Sequence, residues 1–130
     1  MAEPISCEDD RTKEDSVETK LKGKTVFVTD ALHNFGTPMA LAFAREGANL
    51  FLATLSDQAQ LEQTARTVSA LGVKAVTGLC DPSNEAQVEA VVHKCIAELG
   101  QVDVVLNNVL FPVPAHAFGA VPFEVWKRKI

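Results

Sequence analysis

Residues 25–47 read TVFVTDALHNFGTPMALAFAREG. The first five, Thr25–Thr29, are apolar or β-branched and fit a strand covered on both faces. From Gly36 to about residue 46 the pattern is helical, and Gly47 follows as a helix-ending glycine does. Asp30–Phe35 form a turn between them. Strand, tight turn and helix together make the unit in which α/β proteins seat a phosphate on a helix N-terminus. Such turns carry three glycines, and this one carries Gly36 alone.

The pattern repeats along the chain. Leu50–Ala53, Ala75–Leu79 and Val102–Asn107 are further strand candidates, and helices are expected at roughly 36–46, 57–71 and 84–99. On the third helix Val88, Val91, Val92, Cys95 and Leu99 recur at spacings of three and four. Ser83 or Asn84 suits its start, while Gly72 and Gly100 follow the second and third helices. Strand and helix alternate through short connections, which predicts right-handed crossovers and a doubly wound parallel sheet of α/β class.

Composition narrows the function. The chain has 130 residues, 47% of them apolar, and supports one compact domain. Net charge is −5, of which residues 1–20 hold seven acids against three bases. With little to bury, residues 1–22 are expected to be an acidic flexible tail ahead of a domain over 23–130. Neither part clusters the Lys and Arg of a nucleic-acid surface, and no apolar run approaches a membrane span. Cys7, Cys80 and Cys95 are scattered and odd in number, which suits a reducing compartment, and no secretory pattern opens the chain. Cytoplasm is the expected location. The histidines, His33, His93 and His116, are too dispersed for a metal site.

Together these segments resemble the short-chain dehydrogenase/reductase family, NAD(P)-dependent oxidoreductases on a Rossmann fold. LKGKTVFVTDALHNFG (21–36) is similar to the family's opening strand and its T-G-x-x-x-G-x-G turn, and AREGANLFLA (44–53) to its first helix end and second strand. LCDPSNEAQV (79–88) stands where members have an adenine-contacting aspartate. GQVDVVLNNVL (100–110) resembles the stretch ending in N-N-A-G, and VPFEVWKRKI (121–130) the start of the next helix. The resemblance implies strand order 3-2-1-4, a nicotinamide dinucleotide (NAD or NADP) as ligand, and a cofactor site along these motifs. Its residues would be Thr29, Asp30, His33, Asn34, Phe35, Gly36, Thr54, Asp81, Pro82, Asn107, Asn108 and Val109.

The matches depart from the family in ways that predict weakened binding. Asp30 and Asn34 hold the first two glycine places; both residue types tolerate left-handed backbone, so the bend can survive. Asn34 adds a side chain where phosphate oxygens should lie. Asp30 adds a carboxylate near a dianion, costing roughly 4 kcal/mol at ~4 Å and an effective dielectric near 20. That exceeds the about 0.3–1 kcal/mol a helix terminus offers, unless Asp30 turns away or is paired. Pro82 follows Asp81 and has no N–H to offer adenine. Val109 and Leu110 replace the small residues of N-N-A-G. Thr54 stands where an acid often meets the ribose, Leu55 where some members place an Arg, and His33 at a place often basic in NADP users.

No catalytic residue is assigned. The family's Tyr general acid, its Lys four residues on, and the accompanying Ser and Asn lie beyond the matched region, and the chain has no tyrosine. FEVWKRKI (123–130) has the look of an interrupted helix. The expectation is therefore the nucleotide-binding portion of such an oxidoreductase, truncated before the catalytic half and not catalytic alone. The alternative is a non-catalytic relative serving as an interaction or regulatory module. VDVVLN (102–107) would form an exposed sheet edge, which predicts a homo-oligomer or a covering partner.

Overall fold

A computed structural model describes residues 17–109 and 122–127. Its elements run β1 (Thr25–Val28), α1 (Gly36–Arg45), β2 (Asn49–Thr54), α2 (Gln58–Ser69), β3 (Ala75–Leu79), α3 (Glu85–Leu99), β4 (Val104–Leu106) and α4 (Phe123–Lys127). The four strands form a parallel sheet in the order β3-β2-β1-β4. This is the doubly wound, Rossmann-type order that the sequence predicts.

Alternation within the strands explains why they read as continuous apolar runs. Val26, Val28, Leu50 and Leu52 face one side, where they pack with Ala40 and Ala44 of α1 and with Leu61, Ala65 and Val68 of α2. Phe27, Phe51 and Ala53 face the other side, with Val91 and Cys95 of α3. Each face therefore needs its own apolar set. Phe27 and Phe51 stack with centroids 4.8 Å apart and planes at 11°. Fully burying one large apolar side chain contributes about 1.5–3 kcal/mol, so Leu50, Phe51 and Leu52 anchor the sheet from its second strand.

The helix ends follow the cues in sequence. Asn84, rather than Ser83, caps α3, its Oδ1 accepting from Gln87 N at 3.2 Å. Asp57 caps α2 from a left-handed position (φ +66), accepting from Gln60 N at 3.0 Å. Strand boundaries differ by a residue or two. Thr29 falls outside β1 because the chain bends at Asp30, although Thr29 N still reaches Leu106 O at 3.0 Å. β4 is shorter than expected, since Asp103 is drawn to the start of β1: its Oδ2 accepts from Thr25 N at 2.8 Å.

Leu21, in the stretch expected to be tail, is partly buried against the first cluster, and Thr19 Oγ1 donates to Glu46 Oε2 at 2.9 Å. Residues 1–16 of that tail, Leu110 and the Pro-rich stretch to residue 121 lie outside the described residues. No described helix is long and apolar enough to cross a membrane. β4 pairs with β1 alone among the described strands, and Val105 at its middle is 63% exposed.

Candidate functional site

From β1 the chain winds outward through β2 and β3, then returns to place β4 on the other side of β1. The reversal opens a crevice at the carboxyl ends of the strands, the usual ligand site of open α/β sheets. A cleft of about 710 Å³ opens there and runs along the α3 side of the sheet to Gly100, Gln101 and Val102 ahead of β4. Its mouth is formed by Thr29, Asp30 and His33 after β1, Leu55 and Ser56 after β2, Asp81 and Pro82 after β3, and Val109 after β4. Its floor runs along apolar residues of α3, including Val92 and Ile96.

The turn after β1 takes left-handed backbone at both places where a non-glycine residue stands for glycine. Asp30 has φ +46 and Asn34 φ +53. For an ordinary residue each would cost roughly 1–2 kcal/mol, and Asp and Asn are the non-glycine types that bear it most easily. The strain is held by Asn108, which reaches across from the end of β4. Its Nδ2 donates to Asp30 O at 3.0 Å and to His33 O at 2.9 Å, using both amide hydrogens on the turn. Asn108 N donates to Thr29 Oγ1 at 2.8 Å, and Thr29 Oγ1 lies 3.2 Å from Asn107 Oδ1, its acceptor.

Gly36 fills a packing role. A Cβ there would stand 2.6 Å from Asp30 O and 2.7 Å from Ala31 O. Only hydrogen lets α1 start this close to the turn. No side chain caps α1, no acid lies in its first turn, and Thr37 Oγ1 is committed to Ala31 O at 2.8 Å. The helix N-terminus keeps its partial positive charge, but Gly36 N is bonded to His33 O at 3.0 Å and Pro38 has no N–H, so Thr37 N is the unbonded donor of the first turn among the described residues. Asn34 and Phe35 are exposed beside it and do not line the cleft.

Asp30 is paired. Its Oδ1 lies 2.6 Å from His33 Nδ1 and accepts from Thr54 Oγ1 at 3.4 Å. The carboxylate is thus paired within the turn by His33 and reaches the end of β2 at Thr54. Thr54 is buried and outside the cleft lining, and its hydroxyl meets the site through Asp30.

Asp81 lies at the cleft mouth with Oδ1 taken by Ser83, whose hydroxyl donates at 2.6 Å and whose N–H donates at 2.9 Å. These bonds, the hydroxyl's first, hold the carboxyl below the usual aspartate range. Gln87 Oε1 accepts from Asp81 N at 2.8 Å. Cys80 lines the same wall, and burial, then the charge of Asp81, pushes its thiol up. A raised thiol stays protonated and is a poor nucleophile.

Of the expected site residues, Thr29, Asp30, His33, Asp81, Pro82 and Val109 meet in the cleft. Gly36, Asn107 and Asn108 shape the turn from behind, Thr54 anchors Asp30, and Asn34 and Phe35 flank the helix start. Ser56 and Ser83 also belong to the cleft and were absent from the expected set. The D-P-S run is a turn signal, since Asp bonds the backbone two residues on, and it points to Ser83; nothing in sequence marks Ser56.

Comparison with known proteins places this arrangement. The short chain dehydrogenase family model matches residues 24–130. Hydroxysteroid dehydrogenase-like protein 2 of Bos taurus is 34% identical over 95 residues, covering 68% of this chain and 23% of that protein. Oxidoreductase UcpA of Escherichia coli (strain K12) is 34% identical over 89 residues, covering 68% of this chain and 33% of that protein. Among solved structures, NAD+-bound xylitol dehydrogenase superposes with a TM-score of 0.70 at 28% identity, covering 84% of this chain and 42% of that one. The chain thus spans about a quarter to a third of the curated relatives it matches.

Proposed function

Because the chain belongs to the short-chain dehydrogenase family, we propose that it is the dinucleotide-binding portion of an NAD(P)(H)-dependent oxidoreductase acting on an alcohol or carbonyl compound. The observation that carries this reading is the turn. Asp30 and Asn34 take positive φ, Asn108 clamps the turn at Asp30 O and His33 O, and the uncapped start of α1 follows beside the turn residues Thr29, Asp30 and His33 that line the cleft. Gly36 is the cradle that a Cβ would fill. The residues present fit such a ligand: Thr37 N at the start of α1 is a donor for the pyrophosphate, Asp81 an acceptor for the base, and Val109 and the apolar side chains of α3 a surface for the rings. A bound nicotinamide supplies the hydride acceptor or donor.

The chain itself supplies binding and orientation. Hydride transfer in the family needs a tyrosine to hand over or take up a proton, and the 130 residues contain none. We therefore assign binding, and not catalysis, to these residues by themselves. Affinity stands below that of a three-glycine turn, because Asn34 adds bulk beside the amides and Pro82 offers no N–H. Cys80 and Cys95 are free and buried, in keeping with a reducing compartment such as the cytoplasm.

A second reading, an interaction module on the same fold, is favoured by the exposed Val105 on β4 and Ile96 on α3. Such a strip suits a second copy or another covering partner. Titration with NADH and NADPH, read by cofactor fluorescence, separates the readings. Saturable binding that tightens in N34G supports the first. Absence of binding up to millimolar cofactor, with far-UV circular dichroism intact, leaves the second.

A further inference from the structure

The end of β2 carries no charge of its own: Thr54, Leu55 and Ser56 stand there, and the acid that follows, Asp57, caps α2 and does not line the cleft. A carboxylate nonetheless reaches that place, and it comes from the turn after β1. Ala31 N donates to Ala53 O at 2.8 Å, which ties the turn after β1 to the last residues of β2. With Asp30 in left-handed backbone and its carbonyl held by Asn108, its side chain reaches Thr54 Oγ1 at 3.4 Å. The Asp30 side chain is 23% exposed and lines the cleft. His33 Nδ1 and Thr54 Oγ1 both use Oδ1, and Oδ2 makes no hydrogen bond among the described residues.

We infer that Asp30 is a specificity-determining residue: it supplies, from the first glycine place, the carboxylate that accepts the adenosine ribose hydroxyls. The site therefore takes the dinucleotide with a free 2′-hydroxyl and rejects the 2′-phosphorylated form. This inference rests on the reading of the cleft as a dinucleotide site.

The chemistry follows from donors and charge. A ribose hydroxyl can donate to Oδ2, and a charge-assisted bond of that kind is stronger than a neutral one. A 2′-phosphate carries acceptor oxygens and negative charge, so it meets the same oxygen with repulsion and no proton to share. His33 does not offset this, because its Nδ1 is engaged with Asp30 rather than turned to the ligand. A site built to pair with a hydroxyl discriminates strongly against a ligand that cannot make the bond.

The test is binding of NADH and NADPH to the full chain and to D30N, read by isothermal calorimetry, with circular dichroism confirming the fold. Asn keeps the size and the left-handed tolerance while removing the charge. The parent should bind NADH at least about tenfold more tightly than NADPH, and D30N should bring the two within about threefold, mainly by gaining NADPH. A parent that binds both alike, or prefers NADPH, overturns the inference however D30N behaves. A parental preference that D30N leaves unchanged also overturns it, while leaving the dinucleotide reading intact. Binding of neither cofactor by the folded parent overturns both.

Discussion

Replacing Gly36 with Ala tests whether this glycine is required for space or for backbone freedom. Its Cβ would meet Asp30 O at 2.6 Å, Ala31 O at 2.7 Å and Ala31 C at 2.8 Å, short of ordinary contact at 3.4 Å by 0.8, 0.7 and 0.6 Å. All three are backbone atoms and none is free to retreat. Asn108 holds the first carbonyl, Thr37 the second, and Ala31 N is bonded to Ala53 O. The helix must move outward, loosening Ala40 and Ala44 against the sheet. Overpacking of this kind costs about 1–3 kcal/mol, and each hydrogen bond stretched adds about 1 kcal/mol. Alanine's helix propensity returns at most about 1 kcal/mol. We expect a net loss of about 2–4 kcal/mol, a fall in Tm of roughly 10–25 °C for a domain of this size. Urea unfolding of G36A beside G100A measures it. Gly100 has φ +88 and open space around its Cβ, so its variant should lose only about 1 kcal/mol through backbone strain. A G36A variant within about 0.5 kcal/mol of the parent would refute the steric argument.

Two further outcomes follow from named bonds. N108A should lose about 1–3 kcal/mol, because Asp30 O and His33 O each lose an amide donor and keep only the backbone N–H of His33 (3.3 Å) and Gly36 (3.0 Å), and N108D should be no better, since a carboxylate cannot donate; parental stability of N108D in urea would contradict the clamp. Asp103 is held below the usual aspartate range by Thr25 N first, with Gln101 and Lys24 adding to the effect. A carboxyl depressed in the folded state stabilises above its unfolded pKa and loses that contribution as pH falls through the folded value. Urea midpoints should therefore decline below about pH 4 in the parent and decline less in D103N, which starts lower at neutral pH. Parallel acid profiles would remove Asp103 from the account.

The fold was legible because its cues are local. Strands buried on both faces read as unbroken apolar runs, and Asn84, Gly47, Gly72 and Gly100 mark helix ends by their own chemistry. The composition of the turn was legible too, including the left-handed tolerance of Asp30 and Asn34. The direction of the Asp30 carboxylate was not. Its shortest contact is local, to His33 three residues on, but Thr54 lies 24 residues away and the Asn108 amide that holds the Asp30 backbone 78 residues away, and no spacing rule links those positions. Sequence therefore left open whether Asp30 is paired, and the fold pairs it with His33 and, at 3.4 Å, with Thr54. Asn107 and Asn108 stood out as a motif, but their hold on the turn needed β1 and β4 to be seen side by side.

The reach of Asn108 also bears on the order in which the molecule assembles. β1, α1 and β2 are contiguous and can associate while the chain is still being synthesised, whereas the carbonyls of Asp30 and His33 wait for a residue 78 and 75 positions later. Contacts so distant along the chain close after local ones, because loop closure must come first. The turn lies early in the polypeptide yet is expected to take its final shape late in folding, once β4 has docked.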